Sequence, residues 1–531
     1  LLGNTSVTAL GNNNFVIASH LDDVNGVTDA GSVMLINGST GAQIGTTIAG
    51  DTASDYLGLS SVTALGNNNF VIASRLDDVN SVVNAGSVML VSGTTGVQIG
   101  TTLAGDTASD FLGYSSVTAL GNNNFVIASI YDDVNSVTDA GSVMLINGAT
   151  GAQIGTTLAG DTASDSLGNT SVTALGNNNF VIASATDDVN SVSNAGSVML
   201  VSGSTGAQIG TTIAGDTAND YLGNSSVTAL GNNNFVIASA YDDVNSVVNA
   251  GSVMLVSGAT GAQIGTTLAG DTAGDQLGYT SVTALGNNNF VIASIYDDVN
   301  SVTDAGSVML INGATGAQIG TTIAGDTRDD YLGLSSITAL GNNNFVIASY
   351  MDDVNSVVGA GSVMLVSGAT GAQIGATIAG DTANDFLGLS SVTALGNNNF
   401  VIASRHDDVN SVTDAGSVML INGTTGAQIG TTIAGDTASD FLGVYSVTAL
   451  GNNNFIIASH MDDVNGVTDA GSIRQIDTTG TQVSIITGAA TDDMARIRVT
   501  NASTHNFYVV SLAYFDNNSM TDSGFATVVA Y

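Results

Sequence analysis

Short apolar runs alternate with polar turns along the whole chain, and this pattern predicts β-strands. In the first 55 residues we expect four strands, at about Ser6–Leu10, Phe15–Ser19, Ser32–Ile36 and Ala42–Ile48. The second and third runs, FVIAS and SVMLI, are apolar at successive positions, so both faces of these strands should be covered. The fourth run mixes Gln43, Thr46 and Thr47 with isoleucines, as expected of an outer, half-exposed strand.

The pattern repeats without insertion or deletion. The string LGNNNF recurs with its glycine at 11, 66, 121, 176, 231, 286, 341, 396 and 451, so every interval is 55 residues. The period breaks near Ile473, but Asn506-Phe507 with YVVS resembles NNFVIAS. We therefore expect nine tandem repeats over residues 1–486, followed by a degenerate, truncated tenth repeat over 487–531 that caps the array.

This organisation predicts an all-β protein made of tandem 55-residue, four-stranded units. A four-stranded meander whose inner strands are buried by neighbouring units describes a β-propeller blade, so we expect a β-propeller-like fold. The alternative is an open superhelical or solenoid-like β array. The sequence leaves both arrangements open.

Composition narrows the range of partners. The chain has no Lys, Glu, Pro, Cys or Trp, and its aspartates give a formal net charge of −39. A field of this sign disfavours nucleic acid and anionic membranes. Membrane insertion is not expected either, because no apolar run approaches the roughly 18 residues needed to cross a bilayer.

The strings LGNNNFVIAS, DDVN, AGSVML and AGDT resemble two kinds of repeat. One is the FG-GAP repeat of integrin-type β-propellers, and the other is the VTAL-x-NGNYVV repeat of large secreted, filamentous haemagglutinin-like bacterial surface proteins. The resemblance implies a blade-like fold, an extracellular or cell-surface location and an adhesive or matrix role. It does not transfer the FG-GAP calcium loop, because the hairpin at that place is only Asn12-Asn13-Asn14.

The DDVN loop is the candidate metal site, because two carboxylates and a carboxamide offer part of the oxygen shell that Ca²⁺ takes. The alternative is a loop held by its own side-chain to backbone hydrogen bonds. The nearby Gly50-Asp51-Thr52 turn, with Asp55, is interpreted as another such turn. The candidate metal ligands are Asp22, Asp23, Asn25, Asp77, Asp78, Asn80, Asp132, Asp133, Asn135, Asp187, Asp188, Asn190, Asp242, Asp243, Asn245, Asp297, Asp298, Asn300, Asp352, Asp353, Asn355, Asp407, Asp408, Asn410, Asp462, Asp463 and Asn465.

Two positions ahead of each DDVN vary almost freely, whereas the rest of the repeat is nearly constant. Large aromatic or basic side chains on a constant frame are typical of a recognition rim, and drift at unconstrained positions is the alternative. The candidate ligand-binding residues are His20, Arg75, Tyr131, Tyr241, Tyr296, Tyr350, Arg405, His406 and His460.

No repeat offers a distinct nucleophile, base and orienting group, so we predict no catalytic residues and no enzyme. We expect a non-enzymatic extracellular adhesion or matrix scaffold that contacts other surface proteins, glycans or copies of itself. A subunit of a self-assembling filament or surface layer is the first alternative. A calcium-dependent ligand-binding propeller is the second, and Ca²⁺ is the only cofactor that the sequence suggests.

Overall fold

Every regular element is a β-strand in the residues that the computed structural model describes, which are 6–114, 117–280, 282–389, 391–443, 446–488, 498–502, 507–512 and 525–530. The all-β prediction is therefore confirmed. In these ranges nine four-stranded antiparallel sheets follow one another, each with its strands in chain order, and a three-stranded sheet comes last. This order is that of a propeller blade. No helix long and apolar enough to span a membrane occurs in the described ranges.

The strand bounds repeat with the sequence. The first strands are Ser6–Ala9, Ser61–Ala64, Val117–Ala119, Ser171–Ala174, Ser226–Ala229, Thr283–Ala284, Ser336–Ala339, Ser391–Ala394 and Ser446–Ala449. The second strands are Phe15–Ser19, Phe70–Ser74, Phe125–Ser129, Phe180–Ser184, Phe235–Ser239, Phe290–Ser294, Phe345–Ser349, Phe400–Ser404 and Phe455–Ser459. The third strands are Ser32–Ile36, Ser87–Val91, Ser142–Ile146, Ser197–Val201, Ser252–Val256, Ser307–Ile311, Ser362–Val366, Ser417–Ile421 and Ser472–Ile476. The fourth strands are Gln43–Ala49, Gln98–Ala104, Gln153–Ala159, Gln208–Ala214, Gln263–Ala269, Gln318–Ala324, Ile378–Ala379, Gln428–Ala434 and Gln482–Thr487. The last sheet has Arg498–Ala502, Phe507–Leu512 and Phe525–Ala530.

Three predicted strand ends move by one residue, the third being the end of the fourth strand, at Ala49 in place of Ile48. The first strand ends at Ala9, because the Leu10 amide donates to the Asn14 carbonyl across the hairpin turn at 2.8 Å. The fourth strand begins at Gln43, because the Ala42 carbonyl accepts from the Asn37 amide and closes the preceding turn.

The chain divides into two compact parts, Leu1–Ala269 and Gly270–Tyr531. The first part contains five four-stranded sheets. The second contains four more and the three-stranded sheet, in the residues that are described there. The division into nine repeats and a degenerate cap stays a prediction.

Within each part, the core is the layer between consecutive sheets. One such layer joins Leu175, Val181 and Val198 of one sheet to Phe235 and Ile237 of the next. Alternate residues of a second strand point to opposite faces, so FVIAS supplies Phe and Ile to one neighbour and Val and Ala to the other. All five residues of Phe235–Ser239 are buried, as predicted from the unbroken apolar run.

The three asparagines of each hairpin turn have separate roles. Asn122 accepts from the Asn124 amide and so shapes the turn, and Asn123 adopts a left-handed φ of 68°. The Nδ2 groups of Asn122 and Asn124 both donate to the carbonyl of Gly203 in the next sheet, at 2.9 Å each. The turn thus fixes one sheet against the next.

Gly203 has no room for a side chain. A Cβ there would lie 1.8 Å from the carbonyl oxygen of Asn178, so the turn that receives the two asparagine amides requires glycine.

We predict that Phe235→Ala lowers the free energy of unfolding by about 3–5 kcal/mol, because the substitution leaves a cavity between two sheets. Phe235 is 1% exposed. The measurement is denaturant unfolding followed by circular dichroism. Val248→Ala, at a side chain that is 56% exposed, is the control and should leave the midpoint unchanged. Equal midpoints for both variants would contradict the role of the layer.

Candidate functional site

The second aspartate of each DDVN loop closes the loop on itself. Asp188 Oδ1 accepts from the Asn194 amide at 2.7 Å, and the same bond recurs as Asp243 to Asn249. Asn190, two residues after Asp188, has a φ of 53°, the left-handed conformation that asparagine tolerates. These two positions therefore shape the loop, and their role as metal ligands stays a prediction.

The aspartate at the end of the AGDT-x-x-D turn is the buried anchor of the site. Asp165, 1% exposed, accepts from the amide and the hydroxyl of Thr162 at 2.6 and 2.5 Å. Its Oδ1 also accepts from the amide of Asp188 at 3.1 Å. Asp165 thus ties the turn that ends one repeat to the DDVN loop of the next.

This tie brings three carboxylates together at the boundary between repeats. Each group combines both aspartates of the turn with the first aspartate of the following DDVN loop, and their nearest oxygens lie within 4.8 Å of one another. Five of these groups are Asp51, Asp55 and Asp77; Asp106, Asp110 and Asp132; Asp161, Asp165 and Asp187; Asp216, Asp220 and Asp242; and Asp271, Asp275 and Asp297. The described residues contain three more acidic groups. We call each group a boundary cluster.

Burial raises the pKa of the first DDVN aspartate in seven of the described repeats. It is the largest cause of the raised pKa of Asp77, which reaches about 6. A hydrogen bond from Ser87 opposes the shift, and the carboxylates of Asp55 and Asp51 add to it. The pKa also rises to about 6 at Asp187, Asp242 and Asp352, and it rises at Asp132, Asp297 and Asp407.

A cavity opens beside one boundary cluster. It has a volume of about 400 Å³, and Asp216, Asp242, Asn245 and Thr267 contribute oxygen-bearing side chains to its wall. The side chain of Met254, in the middle of a third strand, also lines it. The cavity has room for an ion together with several water molecules.

The ninth repeat differs from the others at that methionine. Arg474 stands where the eight earlier repeats have Met34, Met89, Met144, Met199, Met254, Met309, Met364 and Met419. Its Nη2 lies 2.7 Å from Oδ2 of Asp462, which occupies the repeat position of Asp77 and Asp242. The side chains are 15% and 1% exposed, so this ion pair is largely shielded from water.

The variable positions form a second feature, which we call the rim. Side chains ahead of one DDVN loop meet those of the turns between repeats in edge-to-face ring contacts. In the first part, Tyr131 contacts Phe111 and Tyr114 with ring centroids 5.8 and 5.1 Å apart. In the second part, the rings of Tyr350, Phe386, His406 and Phe441 follow one another at 5.5 to 6.1 Å.

Most of the other candidate rim residues make similar contacts within their own part of the chain. Arg75 lies over the Tyr114 ring at 4.9 Å, a cation–π distance. The further ring contacts are His20 with Tyr56, Tyr241 with Tyr221, and Tyr296 with Tyr279 and Tyr331. Arg405 Nε donates a hydrogen bond to His406 Nε2. His460, at the repeat position of His20, is half-buried.

One groove interrupts the rim. It has a volume of about 340 Å³ and lies where Asn169, Thr186, Tyr221, Asn224 and Tyr241 meet. No charged side chain lines it, so its walls offer aromatic rings, amides and hydroxyls.

Eight segments of the chain, which together make up more than half of it, match one family model. They are residues 9–54, 64–114, 119–169, 174–224, 229–279, 284–324, 339–388 and 394–436. The chain belongs to the family described as a repeat of unknown function (DUF5650). Each matched segment begins at or next to the end of a first strand.

No curated protein matches the chain. A crystal structure of the eukaryotic initiation factor is 10% identical, with 86% of this chain and 94% of that chain covered, at a TM-score of 0.45. A streptogramin B lyase is 10% identical over 65% of this chain and 90% of its own, at 0.32. Regucalcin, a calcium-binding protein from Agrobacterium tumefaciens strain C58, is 13% identical over 61% and 92%, at 0.25. These likenesses carry no functional assignment.

In these DUF5650 repeats, the residues predicted from sequence separate into two environments. The first DDVN aspartate lies in a boundary cluster from the second repeat on, as at Asp77 and Asp242, whereas Asp22 of the first loop accepts from the Ser32 hydroxyl at 2.6 Å. The second aspartate and the asparagine shape the loop. Sequence reasoning treated Asp51 and Asp55 as a separate turn and missed their approach to Asp77. The spacing of 22 residues between Asp55 and Asp77 recurs at every repeat boundary, and this regularity could have indicated that the turn and the following loop lie close together.

We predict that Asp188→Ala lowers the free energy of unfolding by about 1–3 kcal/mol, because the Asn194 amide loses its acceptor. Asp188→Asn keeps an acceptor oxygen and should lose less. Both variants are compared by denaturant unfolding with and without a calcium chelator. Two results together would show that the carboxylate acts as a metal ligand instead. Asp188→Asn would be as unstable as Asp188→Ala when calcium is present, and it would be more stable than Asp188→Ala once the chelator has removed the calcium.

Proposed function

We propose that this chain is a non-enzymatic extracellular scaffold of the adhesion or matrix kind, which binds other surface proteins or glycans through the rim. The observation that carries the proposal is the position of the variable residues. Within each compact part of the chain they lie beside one another in ring contacts, and the frame that carries them is nearly constant from repeat to repeat.

The composition of the rim supports a binding role. Tyrosine, histidine and arginine supply large contact areas together with polar groups, and tyrosine and arginine are among the residues most enriched at binding hot spots. Their ring contacts hold them half-buried, so little side-chain entropy is lost when a partner binds.

Repetition argues against catalysis. His20, His406 and His460 stand in corresponding loops of three repeats, and His406 Nδ1 lies 2.9 Å from a carboxylate oxygen of Asp414. A histidine that acts as a general base would contact a nucleophile through its other ring nitrogen. In His406 that nitrogen accepts a hydrogen bond from Arg405 Nε, which is not a nucleophile. The aspartate clusters occur in similar surroundings in each repeat, whereas general acid and base groups need unlike ones.

The extracellular location rests on the sequence. The strings LGNNNFVIAS and AGDT resemble FG-GAP blades and the repeats of secreted filamentous haemagglutinin-like proteins. The excess of aspartate over arginine is also suited to a solvated surface that repels other anionic surfaces.

The proposal is tested by making the rim uniform. Tyr131→Thr, Tyr241→Thr, Tyr296→Thr and Tyr350→Ala introduce the small residues that the fourth repeat already carries as Ala185 and Thr186. We expect the wild-type chain to bind on glycan or surface-protein arrays, and the combined variant to lose at least ten-fold in apparent affinity. Surface plasmon resonance on the strongest array hit gives the number.

The matched control carries three exposed changes on the fourth strand or the turn before it, Val97→Ala, Val483→Ala and Ile485→Ala. It should bind like the wild type. Array signal that survives the uniform rim would place recognition elsewhere. If the chain shows concentration-dependent light scattering and no array signal, the binding role is contradicted and self-assembly into a filament or layer is supported.

A further inference from the structure

The boundary clusters concentrate negative charge, and three of the four arginines whose side chains the structure describes make their contacts elsewhere. Arg75 lies over Tyr114, Arg405 contacts His406, and Arg328 is 74% exposed beside Asp329. Three carboxylates within 4.8 Å of one another repel strongly, and one of the three, such as Asp220, is fully buried. A bound cation would relieve this repulsion.

Arg474 provides an independent indication that a cation belongs there. In the ninth repeat its guanidinium reaches Asp462, which follows Asp436 and Asp440 at the spacing found in every boundary cluster. The pairing of Ser472–Ile476 with Phe455–Ser459 keeps the register of the other repeats. The pairing with the fourth strand differs, because Arg474 pairs with Ile485 where the earlier repeats have a register shift. In the ninth repeat, therefore, the residue that replaces the methionine places a positive charge next to the first DDVN aspartate.

The buried carboxylate of Asp462 still offers a free oxygen. Its Oδ2 accepts from Ser472 and Arg474, whereas its Oδ1 has no hydrogen-bond partner and the residue is 0% exposed. A buried, unpaired carboxylate oxygen is costly in protein interiors. The position is therefore built for more ligand contacts than a single guanidinium supplies.

The cavity beside Met254 shows what space lies next to one boundary cluster. Met254, which lines it, holds the same repeat position as Arg474 of the ninth repeat. Asp216, Asp242, Asn245 and Thr267 also line it and have oxygen-bearing side chains, whereas Asp220 lies outside its lining. Ca²⁺ takes six to eight oxygen ligands in flexible geometry, including water, which suits this mixed set better than the strict octahedron of Mg²⁺.

We propose that the boundary clusters bind Ca²⁺ between consecutive repeats, and that Arg474 takes the place of this ion in the ninth repeat. The ligands from the protein are the two turn aspartates of one repeat and the first DDVN aspartate of the next. The ion would then join two repeats at the point where Asp220 already accepts from the Asp243 amide. This inference is independent of the rim and of what the rim binds.

The test counts bound calcium. The full chain and its variants are dialysed to equilibrium against micromolar Ca²⁺ in about 0.15 M salt with excess Mg²⁺, which screens diffuse binding to the net charge. Metal and protein are then measured in the same sample. Arg474→Met should raise the count by one ion per chain, and Met254→Arg should lower it by one. Asp242→Asn should also lower it by one, and circular dichroism shows which variants are folded.

Arg328→Met is the matched control, because it removes the same charge from an exposed turn. It should leave the count unchanged. Equal gains for Arg328→Met and Arg474→Met would show diffuse binding to the net charge and overturn the proposal. So would a wild-type chain that binds no calcium, or counts that are the same in folded Met254→Arg, Asp242→Asn and wild type.

Discussion

The burial of both faces of the second and third strands is the constraint on which the rest of the structure depends. The second and third strands of a sheet, such as Phe235–Ser239 and Ser252–Val256, are apolar on both faces, so they are stable only when other sheets cover them. Stability in such an array is the sum of contacts between neighbours and does not come from one central core. The Asn122 and Asn124 amides act at the same boundary, because their bonds to Gly203 fix the offset of one sheet against the next.

The same constraint explains why carboxylates accumulate at the boundaries. The turn that ends one repeat has to meet the loop of the next, and Asp165 makes that contact by accepting from both Thr162 and the Asp188 amide. A buried acceptor of two or more amide bonds is best served by a charged carboxylate. The contact then brings Asp187 and Asp161 close to Asp165, so the negative charge follows from the way the repeats are joined.

Features inside one repeat could be predicted from the sequence, because they follow from local periodicity. The strings FVIAS and SVMLI predicted doubly covered strands, and the asparagine turn predicted positive φ, as seen at Asn123. Features between repeats could not be predicted in the same way. Asn124 and Gly203 are 79 residues apart, and the approach of Asp55 to Asp77 depends on the stacking offset, which no local pattern encodes. The contacts between rim residues depend on the same stacking offset and could not be predicted either. The variable positions themselves can be identified by comparing the repeats.

Because the frame is nearly constant, each departure from it acts as a substitution within one molecule. Thr186 stands where Tyr131 and Tyr241 stand in the neighbouring repeats, and the groove beside Tyr221 opens at this place. Its shape therefore arises from a missing ring and not from an added element. A rim built in this way can change what it contacts by exchanging one side chain per repeat, since the layers between sheets, which hold Phe180 and Phe235, are untouched by the exchange. The residues proposed for recognition and the residues that stabilise the fold are thus separate members of the same 55-residue repeat.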